Sequence, residues 1–484
     1  MAYLTTAGIE ACIQFLAANY PSICQLIVLP EPSVQGRTSR ALKISSGGGT
    51  RHGVLFIGGV HARELVNPDT LVAWALDLCE AYTNNTGLTY GPKTYEAGTI
   101  QLLVEALDIF VFPLVNPDGR IHVQSPAGDP WWRKNRNPNP GQPCKGVDLN
   151  RNYDFLWSSG IGTSAASCSD VFKGAAAFSE PETRNVRSLL VNYPNIDCMM
   201  DVHSYSQLVL YPWGDDENQA TDPAMNFQNP AFDGLRGTAG DALYKEYMPS
   251  QDADWFQTTG ERVRDAIAAV RGRVYTVQQS IYLYPTTGTA HDYAYSRHML
   301  DVNAHRVYAY TLETATEFQP AEVEAQNVIA EVSSGLTEFC IACLCIIDAA
   351  GADLAAVDVA ALRRLREREM ADTAAGREYI VHLQRHSGEL LSILTKNRDA
   401  RYQALDIVKR IAEVMRDEHE YAKLSPEVVR SADRLLEEVS AAASPQLAQT
   451  ISQLKEDLRH FEGRPVIDGL RAASETRRPD ERKR

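Results

Sequence analysis

The distribution of tryptophan and cysteine divides this chain into two parts that must fold in different ways. All six Trp and all nine Cys lie before residue 349, and only five of the 31 Gly come after residue 348. Residues 349–484 hold 24 acidic and 24 basic residues, so the formal net charge of -15 belongs to the first 348 residues. This composition predicts a mixed domain over residues 1–348 and a helical domain over residues 349–484, joined at residues 349–352.

In the first part, short apolar runs alternate with helical patterns. Residues 54–57 and 109–112 are continuous apolar runs that end in turn-forming residues, which is typical of buried strands. Residues 71–78 between them have the pattern of a helix. Such alternation predicts an α/β sheet with helices on both faces, and chemistry in sheets of this kind sits at the strand ends.

The second part has the pattern of packed helices. Apolar side chains recur near helical spacing at Ile380, Leu383, Leu390 and Leu394. Ser425-Pro426 and Ser444-Pro445 each predict a helix start, with Ser as the N-cap and Pro at the first helical position. We expect a helical bundle or hairpin, with a partner-binding coiled coil as the alternative. The charged residues 473–484 are predicted to be a disordered end.

Several classes of protein are disfavoured by composition. No run of 18 apolar residues occurs, so we expect no membrane span. The pI near 5.3 argues against a nucleic-acid partner. The first ten residues have neither a basic flank nor an apolar core, so we expect a cytoplasmic protein, with export by another route as the alternative.

Two separated motifs offer metal ligands. His61-Ala62-Arg63-Glu64 follows the apolar run at residues 54–57, and His203 follows another strand-like segment. Two His and one Glu leave a position open on Zn²⁺, which is typical of a catalytic site. Glu313 ends a third apolar segment and is a candidate base.

These motifs and three others occur together in a recognisable order. The others are GVDLNRNYD at residues 146–154, HSYSQLVLYPWG at residues 203–214 and LYPTTGTAHDYAY around Tyr284. Together with TLET around Glu313 they resemble the zinc metallocarboxypeptidases of the carboxypeptidase A/B type, from about residue 1 to the apolar segment 339–347. The resemblance implies an α/β fold with a mixed eight-stranded sheet, and it does not extend to the helical part.

The resemblance implies a role for each matching residue. One zinc ion would be held by His61, Glu64 and His203, and Glu313 would be the general base that deprotonates the zinc-activated water. Arg133 would stabilise the oxyanion. Asn150, Arg151 and Tyr284 would bind the C-terminal carboxylate of a peptide or protein substrate, and Arg63 would line the approach.

The side-chain pocket departs from the family pattern. His291 takes a position that is aliphatic in A-type enzymes and acidic in B-type enzymes. Gln279, Thr286 and Thr311 add polarity. We expect weak preference for basic C-terminal residues, better acceptance of polar, aromatic or acidic ones, and a pH effect on acidic preference if His291 carries charge.

The resemblance pairs Cys144 with Cys168 in a disulfide, although a reduced pair is the alternative in a cytoplasm. The other cysteines, including Cys198 and Cys343, are expected to be buried and apolar. No role is assigned to the remaining histidines, which are His52, His122, His298, His305, His382, His386, His419 and His460.

The expected function is hydrolysis of C-terminal peptide bonds by a zinc exopeptidase. The alternatives are a relative that trims glutamate chains or cell-wall peptides, and a carboxypeptidase-like binding module. A protein partner that binds through the C-terminal helices is a further hypothesis.

Overall fold

The computed structural model describes residues 3–47, 51–301, 304–344, 362, 365–370, 372–418 and 422–476. They group into two compact units. One comprises Met1–Ile100 and Leu107–Cys343, and the other comprises Gln101–Ala106 and Leu344–Arg484. The predicted junction at residues 349–352 lies outside the described residues, so the boundary at residue 348 stays a prediction.

The first unit contains a sheet and its flanking helices. The strands are β1 (Cys24–Pro32), β2 (Thr38–Ile44), β3 (His52–Gly58), β4 (Leu88–Tyr90), β5 (Lys93–Tyr95), β6 (Leu107–Phe112), β7 (Ile196–Ser204), β8 (Leu208–Tyr211), β9 (Asn218–Gln219), β10 (Glu246–Tyr247), β11 (Thr276–Gln279) and β12 (Tyr308–Thr314). The helices are α1 (Thr6–Asn19), α2 (Val66–Asn84), α3 (Ala97–Ala106, shared with the second unit), α4 (Pro117–Gln124), α5 (Pro181–Asn192), α6 (Ser250–Arg271), α7 (Ala290–Leu300) and α8 (Glu322–Cys343).

Eight strands form one mixed sheet in the order β1-β2-β6-β3-β7-β12-β8-β11. The central strands β6, β3, β7 and β12 run parallel, and every residue of β3 and β6 is buried. Full burial explains their continuous apolar runs, because helices cover both faces of parallel strands. The predicted α/β fold class is confirmed, as are the strands at residues 54–57 and 109–112 and the helix at residues 71–78.

The parallel centre of the sheet brings distant motifs to one edge. His61 comes three residues after the end of β3, and His203 lies near the carboxyl end of β7. The register of β12 on β7 places Glu313 directly beside His203. Because parallel strands end at the same edge, the three motifs converge there.

The second unit is helical. A π-helical turn at Leu365–Met370 precedes α9 (Ala374–Lys396), α10 (Arg398–Glu418), α11 (Pro426–Ala442), α12 (Pro445–Leu458) and α13 (Val466–Thr476). One apolar cluster packs the buried Val439, Leu447 and Ile451 against partly buried residues of α9 and α11.

Both predicted N-caps in the helical unit form. The hydroxyl of Ser425 accepts a hydrogen bond from the Val428 N–H, and that of Ser444 accepts one from Leu447. The expectation of packed helices is therefore confirmed. The predicted disorder from residue 473 is wrong for its first four residues, because α13 continues to Thr476, and the rest lies outside the described residues.

Among the residues that the structure describes, two disulfides form, and both lie in the first unit. Cys144 and Cys168 are joined with their Cα atoms 4.9 Å apart, as the resemblance implied. Cys198 of β7 and Cys343 at the end of α8 are buried, as expected, and they are also joined in a disulfide that the sequence did not predict. Among the described helices, none combines the length and apolar character that a bilayer span requires.

Candidate active site

The three predicted metal ligands lie together at the sheet edge. Nδ1 of His61 is 2.7 Å from Oε1 of Glu64, and Nδ1 of His203 is 3.1 Å from Oε2. The two Nδ1 atoms are 3.0 Å apart, and all three side chains are buried. Within the described part of the chain, this is the one group of three or more His, Cys, Asp or Glu whose ligand atoms all lie within 4.8 Å. The donor set fits zinc.

A carboxylate contacts the outer nitrogen of each histidine. Oδ1 of Asp148 lies 3.1 Å from Nε2 of His61, and Oδ2 of Asp201 lies 2.8 Å from Nε2 of His203. Such contacts fix the ring orientation and leave Nδ1 for the metal. We did not predict either carboxylate from the sequence. A signal was available for Asp201, because residues two apart in a strand face the same side.

Glu313 lies in register with His203 and is only partly exposed. Burial raises the pKa of Glu313 to about 8, and the negative charge of Glu64 adds to this while His203 opposes it. The structure therefore places a carboxyl group that is not one of the three ligands next to the triad. That is the position a general base requires.

Arg133 is connected to the triad through Asp148. Its Nε and Nη2 donate hydrogen bonds of 3.1 and 2.9 Å to Oδ2 of Asp148, whose other oxygen contacts His61. Although burial opposes ionisation, the positive charge of Arg133 holds the pKa of Asp148 well below its usual range. Asp148 therefore stays a carboxylate, and Arg133 stays close to the ligands.

The predicted carboxylate-binding residues follow Asp148 in a single turn. Oδ1 of Asp148 also accepts a hydrogen bond from the N–H of Asn150, which lies in the tight helical turn Leu149–Arg151. The side-chain oxygen of Asn150 accepts the N–H of Ala290 at the start of α7. The buried guanidinium of Arg151 donates to the carbonyls of Gly162 and Asn150. Hydrogen bonds with backbone groups thus hold the side chains of Asn150 and Arg151 in place.

Tyr284 and Arg63 lie nearer to solvent. The ring centre of Tyr284 is 5.7 Å from the Arg151 guanidinium, and Tyr284 is 45% exposed, so it can meet a ligand bound at Arg151. Arg63 lies 4.1 Å above the Phe318 ring and donates to the Trp131 carbonyl. Phe318 and Trp131 therefore lie beside Arg63 on the predicted substrate approach. Of these three residues, the sequence predicted only Arg63.

His291 is buried rather than charged. Its Nδ1 is 2.9 Å from the hydroxyl of Thr311. Burial lowers the pKa of His291 to about 3, so the ring is neutral near pH 7 and the expected pH effect on acidic preference is not supported. The backbone of Gly214 bonds to both Thr286 and Asp292, which brings these residues to the same wall as His291.

Two polar atoms of this pocket lack a hydrogen-bond partner among the described residues. They are the hydroxyl of Thr286 and Nε2 of His291, both buried, and the nearest carboxylate oxygen to Nε2 of His291 is Oδ1 of Asp292 at 3.4 Å. The side chain of Gln279 is instead held by the backbone of Asn218 and Pro212. Thr286 and His291 are therefore the groups here that a ligand can satisfy.

A family model described as zinc carboxypeptidase matches residues 9–333, more than half of the chain. The chain belongs to the zinc carboxypeptidase family. The match covers most of the first unit, and the recognition made from the motifs is confirmed.

Curated relatives agree with this membership. Carboxypeptidase B of Helicoverpa zea is 37% identical over 216 residues, covering 43% of this chain and 46% of that protein. Carboxypeptidase A4 of Mus musculus is 28% identical over 300 residues, covering 62% of this chain and 59% of that protein. Carboxypeptidase B of Astacus astacus is 30% identical over 310 residues, covering 63% of this chain and 84% of that protein. The chain thus spans about half the length of the first two relatives.

Solved structures share the fold. Carboxypeptidase A from Helicoverpa armigera superposes with a TM-score of 0.54 at 24% identity, covering 73% of this chain and 75% of that one. Bovine thrombin-activatable fibrinolysis inhibitor, in complex with tick carboxypeptidase inhibitor, gives 0.53 at 22% identity, covering 70% and 96%. The predicted mixed eight-stranded sheet flanked by helices is that of these structures.

Proposed function

We propose that this protein is a zinc metallocarboxypeptidase that releases single residues from the C-termini of peptides or proteins. The observation that carries the proposal is the position of Asp148. Its carboxylate contacts His61, Arg133 and the turn of Asn150 and Arg151, and so joins the metal ligands to a carboxylate-binding group. Family membership supports the same activity.

In this proposal the substrate carboxylate binds to Arg151, Asn150 and Tyr284, because a planar guanidinium pairs well with a carboxylate. Zinc held by His61, Glu64 and His203 supplies Lewis acidity. An internal peptide bond offers no carboxylate to the clamp, so cleavage is restricted to the last residue.

Glu313 moves the proton. It takes a proton from the attacking water, whose hydroxyl bonds to the scissile carbonyl carbon. The same carboxyl then delivers that proton to the amide nitrogen as the C–N bond breaks, which releases a free amino acid and a shortened peptide. Arg133 donates hydrogen bonds to the oxyanion that develops on the carbonyl oxygen.

We also propose that the pocket prefers polar C-terminal side chains. Thr286 and His291 each hold a buried polar atom that a substrate amide or hydroxyl can pair with. Leaving such a group unpaired costs about 1–3 kcal/mol, which disfavours aliphatic side chains. In this proposal the neutral His291 gives basic side chains no partner of opposite charge.

A peptide library with varied C-terminal residues, analysed by mass spectrometry with zinc-loaded protein, tests the proposal. We expect losses of single C-terminal residues, and we expect Glu313→Gln to reduce kcat by about 10²–10⁴-fold. Glu317→Gln, an exposed position four residues away, is the matched control and should match the wild type.

The same peptides with amidated C-termini should not be trimmed, because the amide removes the negative charge that Arg151 binds. Equal trimming of amidated and free peptides would contradict an exopeptidase. Zinc binding without any turnover would favour the binding-module alternative. The clamp for an ordinary α-carboxylate favours peptide substrates over glutamate chains or cell-wall peptides.

A further inference from the structure

The helical unit contains a line of polar contacts between α9 and α12. These contacts pair Tyr379 with Asp457, His382 and His386 with Thr450, and Glu389 with Ser444. Tyr379 and Glu389 make hydrogen bonds of 2.8 and 2.9 Å, as expected for polar pairs at a helix interface. The middle contact, made by two histidines, is different.

His382 and His386 lie one turn apart on α9 and turn the same way. Their ring centres are 6.3 Å apart, with planes inclined by 23°. Nδ1 of His382 is 3.5 Å from the hydroxyl oxygen of Thr450, and Nε2 of His386 is 3.4 Å from the same atom. Both imidazole nitrogens therefore face the hydroxyl oxygen of Thr450, at distances longer than the usual 2.7–3.0 Å of a hydrogen bond.

Glu378, one turn earlier on α9, contacts the other nitrogen of His382. Its Oε1 lies 3.2 Å from Nε2 of His382, so Nδ1 faces Thr450. A carboxylate on the outer nitrogen of a metal-binding histidine fixes the ring and makes it a better ligand. The contact between Asp148 and His61 in the candidate active site has the same form.

The position is also shielded on one side. His386 and Thr450 are each 8% exposed, whereas His382 is partly exposed. A small ion can therefore reach the buried His386 from the side of the partly exposed His382. Imidazole nitrogens suit zinc and its neighbours in the first transition series, and they do not suit calcium or magnesium.

We propose that His382 and His386 bind one divalent transition-metal ion of the zinc class, beside Thr450. The ligands are Nδ1 of His382 and Nε2 of His386, with water in the remaining positions. Glu378 is a positioning residue. This site is separate from the triad and does not depend on the proposed peptidase activity.

Metal stoichiometry of the full chain tests this. Metal-free protein is dialysed against Zn²⁺ and then analysed by elemental mass spectrometry. We expect two equivalents in the wild type, and one in His382→Gln and in His386→Gln. His460→Gln, a partly exposed histidine beyond α12, is the matched control and should keep two.

A second measurement separates the site from the triad and from misfolding. His61→Gln should also lose one equivalent and keep the one held by α9. Addition of Co²⁺ to His61→Gln should shift and intensify the visible d–d band relative to that of Co²⁺ in buffer, whereas His61→Gln with His382→Gln should give only the band of the aqueous ion. The helical content of each variant is checked by circular dichroism. One equivalent in the wild type, or two in a folded His382→Gln protein, would overturn the proposal.

Discussion

At the scale of single residues, the site depends on side chains whose neighbours fix their charge and direction. Asp148 is fully buried and holds His61 and Arg133 at once, so it acts as the common support of two predicted groups. His291, in contrast, is held neutral by burial. The residue type alone therefore does not determine whether a side chain is charged in the folded protein.

His291 gives a prediction about pH. Because burial lowers its pKa to about 3, the ring binds a proton only in acid and stays neutral above that range. The ratio of kcat/KM for peptides ending in Glu to those ending in Gln should not change between about pH 6 and about pH 8 through this residue. His291→Gln is the control and should give the same flat ratio. A Glu preference in the wild type that grows towards acid pH and vanishes in the variant would contradict this prediction.

The sequence predicted that His61, Glu64, His203 and Glu313 lie together, but it did not predict the residues that support them. His61, Glu64, His203 and Glu313 were recognisable because they follow apolar strands in a known order. Asp148 was overlooked because its role comes from contacts with His61 and Arg133, which are 87 and 15 residues away. The neutral state of His291 was equally hidden, since it follows from burial that no local pattern records.

At the scale of elements, long buried strands and capped helices were predictable, and short pairings were not. β3 and β6 contain the continuous apolar runs 54–57 and 109–112 because both faces are covered, and Ser425 and Ser444 act locally as caps. β9 and β10 have two residues each, so neither shows any periodicity.

The loop between β8 and β9 carries a buried acid that should make stability depend on pH. Asp215 is fully buried, and its side-chain hydrogen-bond partner is Glu246, a second buried carboxyl group. Burial raises the pKa of Asp215 to about 8, with the charges of Asp292 and Asp216 adding. Its folded pKa lies above the unfolded value of about 3.9, so its stabilising effect is complete below about pH 4 and is lost as the pH rises towards 8.

Asp215→Asn should therefore raise the Tm relative to the wild type at about pH 8 and leave it nearly equal at about pH 4. We expect a gain at the higher pH on the order of 1–3 kcal/mol, the desolvation cost of a buried polar group, because Asn carries no charge at any pH. Thermal unfolding across this range measures it, with the exposed Asp154→Asn as control. A constant difference at all pH values would show that Asp215 does not titrate on unfolding.

At the scale of the whole molecule, the described part of the first unit contains two disulfides. Cys144–Cys168 closes a separation of 24 residues, and Cys198–Cys343 closes one of 145. The second link was not predictable, because residues so far apart share no local pattern. Disulfides persist in oxidising compartments, so in the expected cytoplasmic setting both pairs would remain thiols.

The Cys198–Cys343 link gives a prediction about stability. Cys343→Ser should lower the free energy of unfolding by about 2–4 kcal/mol in protein prepared without reductant. Cys12→Ser, which removes a partly exposed free thiol, is the control. The two proteins should have similar Tm values after full reduction. If Cys343→Ser matches the wild type before reduction, the bond does not form in solution.

The same bond has a mechanical consequence. Cys343 is the last residue of α8, and the chain runs on from there towards the C-terminal helices. A pulling force on that segment reaches the covalent bond to β7 before it can unwind α8, so the load passes into the middle of the sheet. A chain anchored by its C-terminal helices would then bear tension along its backbone while α8 stays wound.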